Sequence, residues 1–262
     1  MSAWLPHAYP RGRGQIQLIL EPVVSELVID NPKARNAMSL GMMADLLDAV
    51  DRLRADPPVA LLIRGAGSAA FCAGGDLKEV RAHLMDRAAA EGMPIAMGDA
   101  LDAIASLPSV VVVAIEGAAL GGGAEITTVA DWVVVSESAQ IGFVHAALGV
   151  SPGWGGARRL IQRVGTGTAT EVLLQAPRLN ANRCLELGLA QSIAPEGEAV
   201  AVARAWLERV TRWPHAAIRG LLEILRTARN GGDIKRIERR VFSELWAADD
   251  HRAALELVKA GG

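Results

Sequence analysis

The sequence predicts an α/β fold with a parallel sheet, continued by an all-helical C-terminal portion. Three observations carry this. The short apolar runs at 59–63 and 110–115 suit buried strands. Both are followed by a glycine-bearing loop and then a helix-like segment, which is the alternation of β/α units. After about residue 196 the texture changes. Residues 198–212, 214–227 and 234–258 read as helical throughout, rich in Ala, Leu, Arg and Glu. The expected division is a β/α core over 1–195 and a helical region over 196–262, folding as one cooperative unit.

The elements follow in order. Residues 15–20 (QIQLIL) and 24–29 (VSELVI) read as a strand pair around Glu21-Pro22. Residues 31–36 (NPKARN) form a turn-rich loop. Ser39 is placed to cap a helix whose Met42, Met43, Leu46, Leu47 and Val50 recur at helical spacing. The strand at 59–63 leads into Gly65-Ala-Gly67. Segments 77–85 and 95–104 read as helices. After the strand at 110–115 a helix begins near Gly122, and 132–135 is a further strand. Gly165-Thr-Gly167 reads as a helix entry.

Composition excludes several classes. Of 262 residues, 51% are hydrophobic and 21% charged, a globular balance. Lys and Arg total 27 against 29 Asp and Glu, which gives no electrostatic case for nucleic acid or an acidic membrane surface. Residues 235–240 (KRIERR) read as a solvated helix face. The run at 110–115, ended by Glu116, is far too short to span a bilayer. Cys72 and Cys184 form neither a CxxC nor a metal-like cluster with histidines, so no metal, no disulfide and a reducing cytoplasm are expected. The opening MSAWLPHAYPRGRG has no apolar h-region and reads as no signal peptide. No P-loop, HExxH or GxSxG occurs. Residues 65–70 (GAGSAA) match a dinucleotide fingerprint but do not run straight into a helix, so no nicotinamide or flavin cofactor is expected.

The chemistry gathers on two glycine loops, each after a buried strand. One is Phe71-Cys-Ala-Gly-Gly-Asp-Leu77. The other is Gly121-Gly-Gly123, with the carboxylate of Glu125 just behind it. Glycine lets a ligand approach the backbone closely. Where a loop opens a helix, the N–H groups are unpaired and the dipole end is positive. Two such N–H groups converging on one point would stabilise an oxyanion. The alternative, that these glycines only permit tight strand–helix packing, stays open on the residues alone.

Four spaced motifs carry a family resemblance: residues 31–38 (NPKARNAM), 71–77 (FCAGGDL), 119–125 (ALGGGAE) and 149–156 (GVSPGWGG). Together they resemble the crotonase (enoyl-CoA hydratase/isomerase) superfamily, from about residue 15 to the C-terminus. The resemblance implies a spiral of ββα units and a helical C-terminal region that helps build homotrimers or dimers of trimers. It implies an acyl-CoA substrate, with coenzyme A as part of that substrate and no separate cofactor. The thioester oxygen would lie between the N–H groups of Gly75 and Gly122. Ala34, Arg35, Ala73, Asp76 and Leu77 would border the CoA moiety, with Arg35 and Lys78 as phosphate neighbours. Trp154 would line the acyl pocket or simply pack.

Hydratases of this family use two glutamates. The first matches Glu125; at the second position this chain has His145. Hydration shares its proton transfers between two carboxylates. Decarboxylation needs no base, because the departing carboxylate supplies the electrons of the thioester enolate, and one donor then quenches it. A second ionised glutamate would repel a substrate carboxylate, whereas His145 would not. Residues 121–128, 143–145 and 152–156 look most like the ethylmalonyl-CoA decarboxylase branch, with Gly153 standing where serine is expected. The resemblance therefore implies a carboxy-lyase acting on a short 2-alkylmalonyl-CoA, with Glu125 and His145 as the catalytic pair. Glu125 is read as general acid, as the group orienting His145, or as a repulsive neighbour of the scissile carboxylate. An enoyl-CoA hydratase or isomerase, and a non-catalytic acyl-CoA-binding scaffold, are the alternatives.

Overall fold

The structure is a computed structural model and describes residues 13–260. The reading of the N-terminal segment as lacking a leader falls almost wholly outside those residues. Two strands open the fold, β1 (Gln15–Ile19) and β2 (Val24–Asp30), paired antiparallel. Helix α1 (Leu40–Ala55) follows, capped as expected by Ser39, whose Oγ accepts from the Met42 N–H at 3.2 Å. Next come β3 (Ala60–Gly65), β4 (Ala70–Cys72), α2 (Leu77–His83), α3 (Arg87–Ser106), β5 (Val110–Ile115), β6 (Ala118–Leu120), α4 (Gly122–Thr127), β7 (Trp132–Ser136), β8 (Gln140–Gly142), α5 (Gly156–Gln175), β9 (Leu179–Asn180), α6 (Ala181–Glu186) and β10 (Ser192–Ala194). The chain ends in α7 (Ala199–Thr211), α8 (His215–Arg229), α9 (Ile234–Trp246) and α10 (Asp249–Ala260).

The strands form two sheets. The larger runs β1-β2-β3-β5-β7-β10, parallel from β2 onward. The smaller runs β4-β6-β8-β9, parallel except for β8 against β9. Three strands of the first sheet, β3, β5 and β7, are each followed by a short strand of the second, and then by helix. This is a repeated ββα unit winding from one sheet to the other. The short strands were not visible in the sequence, because three residues show no period. They lie where the sequence reading places glycine loops.

One core fills the space between the two sheets and the helices α1 and α3. It includes Met42, Met43, Leu61, Ile63, Phe71, Val111, Val113 and Phe143, all essentially inaccessible to solvent. A second apolar layer covers the other face of the large sheet. There Ala199, Ala203 and Leu207 of α7 and Ile218 and Leu222 of α8 pack on Leu62, Val112 and Val134. Helices α7 and α8 are therefore bound to the sheet by a shared core.

Two boundaries differ from the sequence reading. The expected helix at 95–104 extends back to Arg87, with Pro94 inside it. The expected helix at 234–258 is two helices, broken between Trp246 and Asp249. Gly165 marks a kink inside α5, with φ 76° and ψ 164°, so a second helical stretch does start there. Residues 235–240 lie on α9, where Arg240 pairs with Glu223 and Glu244, the exposed face expected for them.

Candidate active site

The two glycine loops meet. Met38 donates to the Gly74 carbonyl and accepts from the Asp76 N–H, each at 2.8 Å. This isolated parallel bridge holds Gly75 in an extended stretch. By the pleat, the Gly75 N–H then points away from Met38. Gly74, at φ +94°, has a backbone that L side chains rarely adopt, and a Cβ built there would lie 3.2 Å from the Gly122 nitrogen and 3.0 Å from the Leu120 carbonyl. The second loop turns at Gly121, with φ 54° and ψ −122°, which caps α4 without a side-chain bond. Gly122 is the first residue of α4, so its N–H has no carbonyl one turn back within the helix.

The triple glycine has three separate causes. Gly121 supplies the positive φ. A Cβ on Gly122 would collide with the six-membered ring of Trp154, and one on Gly123 with the Cys72 carbonyl. The tight packing that the sequence posed as one alternative is present at Gly122 and Gly123. Trp154 is buried with its ring over Gly122, so it walls the second glycine loop directly.

Glu125 follows on α4 and is buried to 1% exposure. Its Oε1 accepts from the Gly153 N–H at 3.2 Å and from His145 Nε2 at 3.0 Å. Its Oε2 accepts from the Trp154 and Gly156 N–H groups, both at 2.8 Å. A carboxylate has about four acceptor positions; here four donors occupy them. A Cβ on Gly156 would fall 2.8 Å from Oε2, so glycine leaves the room the carboxylate needs. Because a carboxylate only accepts, Nε2 of His145 must carry a proton toward it. The other ring nitrogen, Nδ1, is buried and has no hydrogen-bond partner among the described residues. The imidazole lies beside the second glycine loop, since a Cβ on Gly121 would be 4.0 Å from Nε2.

A cleft of about 780 Å³ opens next to the first loop. Ala34, Ala73, Gly75, Asp76 and Leu77 line it. Lys78 does so too, joined by Lys33 and Arg13, which sequence reasoning did not single out. Asp76 also caps α2, accepting from the Lys78 N–H at 2.9 Å. Arg35 is placed differently. It is exposed, has φ 54°, and joins the loops through its carbonyl, which accepts from the Ala73 N–H. Buried Asn36, between them, ties this loop to β4 by donating to the Ala66 and Ala70 carbonyls. Among the described residues no group of three or more His, Cys, Asp and Glu is arranged to hold a metal ion.

A sequence profile of the enoyl-CoA hydratase/isomerase family matches residues 21–258. The chain belongs to that family. Crotonase-family relatives include the ethylmalonyl-CoA decarboxylase of Xenopus laevis, 36% identical over 230 residues, covering 85% of this chain and 76% of the relative. The ethylmalonyl-CoA decarboxylase of Danio rerio is 33% identical over 258 residues, covering 95% and 84%. Among solved structures, an enoyl-CoA hydratase from Bacillus anthracis superposes with TM-score 0.88 at 25% identity, covering 94% of this chain and 96% of that one. No helix among the described residues is long and apolar enough to cross a membrane.

Proposed function

We propose that this crotonase-family enzyme decarboxylates a short 2-alkylmalonyl-CoA, such as ethylmalonyl- or methylmalonyl-CoA. The thioester oxygen is held by the N–H groups of Gly75 and Gly122. The bond from the α-carbon to the carboxylate breaks, CO2 leaves, and the electron pair becomes the enolate. Two preorganised N–H donors stabilise that charge as it develops. Protonated His145 then delivers a proton from Nδ1 to the α-carbon and is reprotonated from solvent. Lys33, Lys78 and Arg13 in the cleft suit the phosphates of coenzyme A.

The observation that carries this reading is the saturation of Glu125. With four donors on its two oxygens, it has no lone pair left to take a proton from water or from an α-carbon. Of the three roles open to it, orienting His145 is the one these bonds support, and the imidazole's Nδ1 is left unpartnered among the described residues. Relatives named ethylmalonyl-CoA decarboxylase point the same way.

The test is to incubate purified protein with ethylmalonyl-CoA, methylmalonyl-CoA and crotonyl-CoA and follow the products by mass spectrometry. Release of CO2 with formation of butyryl- or propionyl-CoA is expected. Hydration of crotonyl-CoA without decarboxylation would instead support the hydratase reading, which the likeness to solved hydratases favours. Tight CoA-ester binding with no turnover would leave a scaffold role.

The assembly we propose is a homotrimer or dimer of trimers. Leu221 and Leu225 of α8 and Phe242 and Trp246 of α9 are each about 60% exposed, an apolar face suited to self-association. Light scattering on the purified protein reads the state directly.

A further inference from the structure

Behind Glu125 lies a guanidinium that the proposed reaction does not itself use. Arg159, in the first turn of α5, is 5% exposed. Its Nε donates to Thr128 Oγ1 at 2.9 Å, just past the end of α4. Its Nη2 donates to the Trp154 carbonyl at 2.5 Å, and its Nη1 pairs with Asp102 of α3. Thr128 in turn donates to the Glu125 carbonyl at 2.6 Å. Gly155 has φ +78°, and a Cβ there would fall 2.8 Å from Arg159 Nη1. The two glycines at the start of α5 thus divide the work: Gly155, its N-cap, leaves room for the guanidinium and Gly156, its first residue, for the carboxylate.

The turn at 153–156 is held between two buried charges. Its N–H groups point at Glu125, and the Trp154 carbonyl points at Arg159. A rigid planar fork reaches three elements in fixed directions, which an ammonium on a flexible stem cannot reproduce. Burial lowers the guanidinium's proton affinity, and Asp102 opposes that effect.

We propose that Arg159 is a positioning residue for the Glu125–His145 pair: it clamps the 153–156 turn so that its N–H groups fix the Glu125 carboxylate, and hence the His145 ring. This inference rests on the reading of His145 as proton donor. Asp102 assists by pairing with the guanidinium from its more exposed side.

The experiment compares Arg159→Met, Arg159→Lys and Asp102→Asn with wild type. Arg159→Met is expected to lower kcat about 10–100-fold with KM little changed, the scale of a misplaced reacting group. Arg159→Lys should recover part of the loss, and added sub-denaturing guanidinium should partly rescue Arg159→Ala. If Arg159→Met does not fold, Asp102→Asn should show a smaller fall in kcat. In parallel, 15N-labelled histidine spectra read the His145 Nε2 hydrogen bond without any substrate. That signal should weaken in the Arg159 variants. A lowered melting temperature with unchanged kcat and an unchanged His145 signal would make Arg159 merely structural and overturn the proposal. If wild type turns over no malonyl thioester, the substrate reading fails, and the His145 spectrum still decides the role of Arg159.

Discussion

Two buried glutamates in this chain perform the same structural act with different consequences. Glu116 ends β5; it accepts from the Gly197 N–H at 3.2 Å and the Ala199 N–H at 2.7 Å, and so anchors the start of α7. Glu125 accepts from three N–H groups leading into α5. Both place a negative charge at the positive end of a helix. What separates them is His145, which takes the fourth acceptor position on Glu125. The comparison teaches that a buried carboxylate beside glycines is a structural device first. In the proposed reaction the histidine turns one copy of that device toward chemistry.

Removing the difference should have the largest effect. His145→Gln leaves Glu125 with a role like that of Glu116, and kcat on the 2-alkylmalonyl-CoA should fall about 10²–10⁴-fold, the usual contribution of a positioned proton donor. The melting temperature should move little. Steady-state kinetics and a thermal melt check both.

Gly122→Ala attacks the other half of the site. The added methyl strikes the Trp154 ring and displaces the N–H, so kcat should fall about 10²–10³-fold, as when one oxyanion donor is lost. Here the melting temperature should fall as well, because the collision lies in the core.

The sharpest test of the comparison is paired. Glu125→Gln and Glu116→Gln should each lower stability by about 1–3 kcal/mol, because an amide turns a donor toward N–H groups and leaves one unpaired. Denaturant melts measure this. Only Glu125→Gln should also reduce kcat. Equal kinetic losses from both would show that the activity responds to general loosening rather than to the pair.

The smallest effect concerns Cys72, in the short strand beneath Gly123. Burial pushes its thiol from 9.0 up to about 12, with a partial opposing contribution from the Gly74 backbone. Cys184 is raised to about 11, again by burial. Iodoacetamide at pH 8 should label neither until the chain unfolds. Folded values above the unfolded ones place the stability loss on the alkaline side. It should begin as pH rises past 9.0 and continue toward about 12, visible as a falling melting temperature.

Much of the fold was legible in the residues themselves. The apolar runs of β3 and β5, the Ser39 cap and the period of α1 are local signals, because strand burial and helix capping act over a few neighbouring residues. The short strands β4, β6 and β8 were not legible. Each is three residues long and is defined by its partners in the second sheet. The break after Trp246 was hidden for a related reason: both sides of it favour helix.

The site divides along the same line. The sequence by itself determined the two glycine loops, Glu125 twenty residues before His145, and the family to which they belong, since motif spacing is a property of the chain. Only the tertiary structure decided what Glu125 touches. Its four donors come from residues 28 to 31 positions away and from the histidine 20 away, and hydrogen bonds across such distances exist only once α4 and the turn before α5 are packed together. The same packing brings Arg159 behind the turn. A side chain's acceptor positions are filled by its neighbours in space, and composition and spacing do not specify those neighbours.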